Sequence, residues 1–167
     1  MAQALQQNIP QPLITGLARK LVAEQLLSRE VATQAYLDAE RAGVTVIRQL
    51  VKQGVLDSKQ VALTASREFG LPLLDITVFD HVHIPLSLID AKLMRKHNVL
   101  PLLKKGNKLF LGVSDPTDHN AFNEIKFHTS ASLELVVLED DKLHSTIEAL
   151  LNSNDQEASN FSALESM

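Results

Sequence analysis

Cysteine is absent from the 167 residues, so neither a disulfide nor a thiolate metal site can form. Missing too is any apolar run near the roughly 20 residues that cross a bilayer. No basic segment followed by an apolar core opens the chain, so no signal peptide is expected, and a reducing, cytoplasmic setting suits it. Basic excess is lacking as well. The formal charge is −4, against the basic stripe of a general nucleic-acid binder. The glycine-lysine signature of a phosphate-cradling loop, G-x-x-x-x-G-K-[ST], appears nowhere. Neither does the G-x-S-x-G nucleophile elbow. The six histidines, His81, His83, His97, His119, His128 and His144, include no i, i+4 pair of the zinc-site type. Nothing in the sequence makes an active site, and neither a metal nor a cofactor is expected in this stretch.

What is present is a repeat. Gly16 to Leu27 reads GLARKLVAEQLL, and 29 residues later Thr45 to Leu56 reads TVIRQLVKQGVL. Arg19 aligns with Arg48, Leu21 with Leu50, Val22 with Val51 and Leu27 with Leu56. Two copies of a helix pair that cannot each bury an apolar face alone are expected to stack into one core. Residues 1–11 are Gln-rich and Pro-punctuated and read as disordered. Over 12–70 four helices are expected. Ile14, Leu17, Leu21 and Val22 share one face of the first. Ser28 caps the second, which turns Ala32, Ala35, Tyr36 and Ala39 inward. Gly54 closes the third, and Asp57, with Gln60 at the capping-box position, starts the fourth, carrying Val61, Leu63 and Ala65 inward.

Beyond Gly70 the pattern changes. Leu71 to Ile76 reads as extended, and Leu86 to His97 as a helix. Val99–Leu103 and Leu109–Ser114 flank a Lys104-Lys105-Gly106-Asn107 hairpin loop. Asp118 caps a helix to about His128, Leu133–Leu138 is a strand, and Asp140 caps a last helix ending near Leu151. The strand following the βα unit should pair in parallel. The fold class is therefore α+β: two tandem helical hairpins over 12–70, then a small α/β sandwich over 71–151. Residues 152–167, polar and acidic, read as a linker or tail. Asp115 and Asp118 could form a metal or acid-base pair, but a turn and a helix cap account for both. Lys104, Lys105 and Lys108 make a basic hairpin tip, read as solvated.

Three elements carry a family resemblance: Pro72-Leu-Leu-Asp75 after a glycine, Val99-Leu-Pro-Leu102 after a basic helix end, and Leu111-Gly-Val-Ser-Asp115-Pro116. In order and spacing, the stretch from Pro12 to Leu151 resembles the N-terminal domain of secretion and pilus-assembly ATPases, often called MshEN. Within that family it looks most like the motors that extend type IV pili. The resemblance implies a homohexameric ATPase whose catalytic domain, with its ATP and Mg, lies downstream of Met167. Many such domains bind cyclic di-GMP through two copies of R-L-G-x-x-L-V-x-x-G and a later glutamine. Here the arginine positions hold Gly16 and Thr45. Ala18 and Ile47 replace the first glycine, Gln25 replaces the second in copy one, and only Gly54 in copy two survives. The glutamine positions hold Ala39 and Glu68.

A hydrogen bond to a charged group contributes about 1.5–3 kcal/mol. Losing two arginines should then remove roughly 3–6 kcal/mol, or about 10²–10⁴ in affinity. The scaffold is kept and the ligand chemistry lost. The resemblance then implies a protein-docking platform for a PilZ-type adaptor, itself linked to a FimX-like cyclic di-GMP receptor, at the inner-membrane pilus platform. Candidate contacts are Leu26, Leu27, Val31 and Leu37, with neither nucleic acid nor membrane insertion involved. A direct cyclic di-GMP sensor and a purely structural spacer are the alternatives.

Overall fold

The structure is a computed structural model that describes residues 12–166. Its helical half comprises α1 (Gly16–Ala23), α2 (Arg29–Ala42), α3 (Val46–Lys52) and α4 (Ser58–Phe69). The starts follow the side-chain chemistry. Ser28 accepts from the Val31 N–H, Thr45 from Arg48 and Asp57 from Gln60, each satisfying a first-turn donor. The repeat is visible as matched burial: Leu17, Ala18, Leu21, Leu27, Ala32 and Ala35 are buried in copy one. From Ala18 onward their buried counterparts in copy two are Ile47, Leu50, Leu56, Val61 and Thr64, while Val46, opposite Leu17, is half-buried. One core holds both hairpins. Leu63, expected inward, is 48% exposed; its place in the stripe is taken by Ala62, one position earlier on α4.

The second half holds α5 (Ala91–His97), β1 (Val99–Lys105), β2 (Lys108–Val113), α6 (His119–Thr129), β3 (Ser132–Val137) and α7 (Asp140–Glu165). The sheet has order β1-β2-β3. β1 and β2 are antiparallel, with Val99 opposite Val113 and a bulge between Pro101 and Leu103. β2 and β3 run parallel, Leu109 beside Leu133 and Val113 beside Val137, with α6 as the crossover. The Pro72–Leu74 segment lies along the end of β3: Val137 donates to the Pro72 carbonyl and Leu74 donates back to Val137. Leu100, Leu109, Leu111, Ile125, Leu138 and Leu143 form the centre of this second core.

Three expectations are corrected. The single helix over 86–97 is a short 3-10 turn, Leu86–Leu88, followed by α5. Ile89 is extended and Asp90 then caps α5 through the Lys92 N–H. Asp140 is the first residue of α7, not its cap; Glu139 takes the cap position without a side-chain bond. The last helix does not stop near Leu151 but continues to Glu165. Leu151 is its last buried residue, and 152–166 are exposed throughout. Residues 1–11, expected to be disordered, lie outside the described residues.

Candidate functional site

At the degenerate motif positions, the residues present serve the scaffold. Gly16 opens α1 with φ +62°, a left-handed conformation that side chains adopt at a cost. A Cβ there would also collide with the Thr117 side chain. The next residue, Leu17, donates its N–H to Thr117 Oγ1 at 3.0 Å, so Thr117 ties the start of α1 to the α/β half. Thr117 is held in turn by Asp115, which accepts from its N–H and its hydroxyl. Thr45 is occupied as the cap of α3. Ala18 and Ile47, at the first-glycine positions, are buried in the helical core. Gln25, at the second-glycine position of copy one, has a left-handed backbone with φ +61°, beside φ +74° at Gly54 in copy two. Ala39 is buried, and Glu68 forms an ion pair with Lys20 at 3.0 Å. That pairing with Glu68 is the main reason the Lys20 pKa is raised.

The two repeat arginines have parted ways. Arg19 is exposed. Arg48 reaches across to the other half, where its Nη1 lies 2.7 Å from Asp140 Oδ2. The Asp140 side chain is fully buried and also accepts from Asn98 Nδ2 at 2.8 Å and from Ser114 Oγ at 2.9 Å. Ser58 Oγ accepts the neighbouring Asp141 N–H. A buried carboxylate persists only when it is paired and hydrogen-bonded in this way. Sequence reading missed this node because its residues lie up to 92 positions apart.

A cleft of about 600 Å³ opens between the halves. Tyr36, Leu37 and Glu40 of α2 form one wall, and Asp115, Asp118 and His119 another. Asp118 caps α6 through the Ala121 N–H. The Asp115 pKa is raised, chiefly by burial and further by the Asp118 charge, while the bonds from Thr117 pull it back. The lining therefore mixes carboxylates with apolar side chains. Among the described residues no group of three or more His, Asp or Glu could hold a metal ion.

The four candidate contacts do not converge. Leu37 lines the cleft, half-buried. Val31 is exposed at the start of α2 and is not part of that wall. Leu26 is half-buried against the helical core. Leu27 is only 4% exposed and packs inside that core, so as a partner contact it is corrected to a scaffold residue. Tyr36 and Glu40 were missed, although Glu40 stands at i+3 from Leu37 and so shares its face of α2. Two of the histidines are hydrogen-bonded within the fold: His97 lies 2.8 Å from Glu124 and His81 2.8 Å from the Ile76 carbonyl. His97 is the main reason the Glu124 pKa is lowered. No helix among the described residues is long and apolar enough to cross a membrane.

A stacked pair of helical hairpins joined to a three-stranded α/β unit is the fold of the N-terminal domain of XpsE. The N-terminal domain of XpsE superposes with a TM-score of 0.61 at 18% identity, covering 82% of this chain and 97% of that one. A structure of MshE with cdg superposes with a TM-score of 0.54 at 22% identity, covering 81% and 99%. The chain belongs to the MshEN domain family, whose model matches residues 69–157. It is 36% identical over 140 residues to the type IV pilus assembly ATPase PilB of Pseudomonas aeruginosa PAO1, covering 84% of this chain. The chain spans about a quarter of the length of the curated relatives it matches.

Proposed function

We propose that this chain is the regulatory N-terminal domain of a type IV pilus extension ATPase, and that it docks a PilZ-type adaptor instead of binding cyclic di-GMP itself. One observation carries the reading: both motif-arginine positions are committed to the scaffold, Gly16 against Thr117 and Thr45 as a helix cap. One edge of the Arg48 guanidinium pairs with Asp140. The similarity to PilB over most of the chain supports the motor class. The cleft supports a protein partner, since its lining sets Leu37 and Tyr36 beside the carboxylates of Glu40 and Asp118. A FimX-like receptor would bring the dinucleotide signal to the adaptor. The full-length protein would act as a hexamer on the cytoplasmic side of the inner membrane, at the pilus platform, with α7 leading toward the motor.

The MshE structure with cdg, read as cyclic di-GMP, keeps a direct sensor as the second reading. Two measurements on the same preparation separate them. Pulldown with candidate PilZ-type adaptors should succeed without nucleotide, and Leu37→Glu should weaken it at least about tenfold, the loss of one well-packed anchor. Calorimetric titration with cyclic di-GMP should give no heat. Saturable heat at micromolar concentrations would install the sensor reading, and failure of both assays would leave a spacer.

A further inference from the structure

We infer that a second site lies at the junction of α3, α5 and α7, and that it takes a single phosphate-sized oxyanion. A cavity of about 130 Å³ is walled by Arg48 and Lys52 of α3, Arg95 of α5, Asn98 just after it, and His144 of α7, with Thr45 at one side. Three permanent cations and an imidazole converge there from three helices, and no carboxylate lines the wall. The nearby acids each engage one edge of a guanidinium. Arg48 uses Nη1 on Asp140, and Arg95 uses Nε on Glu148 at 3.1 Å. A guanidinium carries five N–H donors, so both arginines keep donors for a further acceptor. Lys52 and His144 have no ion pair or hydrogen bond among the described residues. Asp140 and Glu148 offset the two arginines, so Lys52 and His144 are the donors at the hollow left without an acceptor among the described residues.

Geometry narrows the ligand. Donors that arrive from three helices suit a tetrahedral oxyanion better than a planar carboxylate, which a single arginine grips bidentately. The volume is below the range of about 300–1,000 Å³ typical of pockets for larger ligands, so it excludes a cyclic dinucleotide. Free phosphate and the phosphate of a small monoester share the required chemistry. Either would bridge α3 to α5 and α7, alongside the Arg48–Asp140 pair. This site is independent of the adaptor reading.

The test uses the full chain at constant ionic strength, with chloride exchanged for inorganic phosphate and, in a second arm, for glycerol phosphate. Backbone amide NMR shifts and the melting temperature are followed. Saturable shifts confined to 45–52, 95–98 and the turn around His144, with a rising Tm, are expected. Saturation by both ligands, or by inorganic phosphate alone, supports the site and fixes the source of its ligand. Lys52→Ala should weaken binding at least about tenfold, the loss of one charged hydrogen bond. Lys52 is exposed, and an unchanged Tm without phosphate verifies that this variant folds. Absence of saturation at about 20 mM, a weaker limit than millimolar affinity requires, overturns the inference. So do shifts centred elsewhere in the wild type, which need no variant, or unaltered affinity in Lys52→Ala.

Discussion

At the scale of single residues, Gly16 is held to glycine by both backbone and neighbours. Its left-handed φ and the close Thr117 side chain leave the position no room for a side chain. Gly16→Ala should destabilise the chain by about 1–3 kcal/mol, combining backbone strain with a steric conflict. Gly16→Arg should do no better and should not restore dinucleotide binding; denaturant melts and calorimetry check both. Asp115 supplies a prediction with a pH sign. Burial raises its pKa above the unfolded value of 3.8, so between those two values the folded state binds more protons than the unfolded one. Stability therefore falls as pH rises through that window, and the deficit persists at neutral pH. Asp115→Asn keeps an oxygen for the two Thr117 bonds and carries no charge. Its Tm should exceed wild type at pH 7, with the advantage fading as pH drops toward 3.8. An advantage that grew on acidification would refute this assignment.

At the scale of elements, local chemistry was readable and long-range chemistry was not. Ser28, Asp57 and Asp118 cap helices as their positions suggest, because a cap needs only the next three residues. The hairpin and the parallel β2–β3 pair followed equally from loop chemistry and crossover handedness. Asp140 looked like another cap, yet its carboxylate is drawn inward by Arg48, Asn98 and Ser114, none of them nearby in sequence. Leu27 read as a candidate partner contact because it crowds the interhelix turn, while stacking of the two hairpins buries it. The polarity of 152–165 suggested a tail; in the structure it is a helix with no packed face. Such a stretch has no tertiary support and rests on propensity alone. Asn154→Pro should accordingly lower far-UV helical signal while leaving the cooperative melt unchanged. Leu151→Ala, one turn earlier and buried, should cost about 2–5 kcal/mol. Hydrogen exchange would mark the same border, with protection through Leu151 and little beyond.

At the scale of the whole molecule, the question is whether two cores make one folding unit. Val137 belongs to β3 but is buried in the helical core, so the sheet itself contributes to the other half. The Leu17–Thr117, Ser58–Asp141 and Arg48–Asp140 bonds cross the same junction. Of these, the ion pair should dominate, because loss of one partner leaves a charge stranded in the interior. Arg48→Met keeps the apolar stem and strands the Asp140 carboxylate, with an expected cost of about 3–5 kcal/mol. Tyr36 is the sole tyrosine and there is no tryptophan, so intrinsic fluorescence reports the helical half alone. In wild type the fluorescence and far-UV melts should coincide, as a two-state chain requires. In Arg48→Met they should separate, the helical half melting first because its core is smaller and built largely from alanine and leucine. Coincident melts in the variant, shifted together, would instead place the coupling in Val137 and the apolar seam. A variant as stable as wild type would show that Asp140 is satisfied by Asn98 and Ser114 without its arginine.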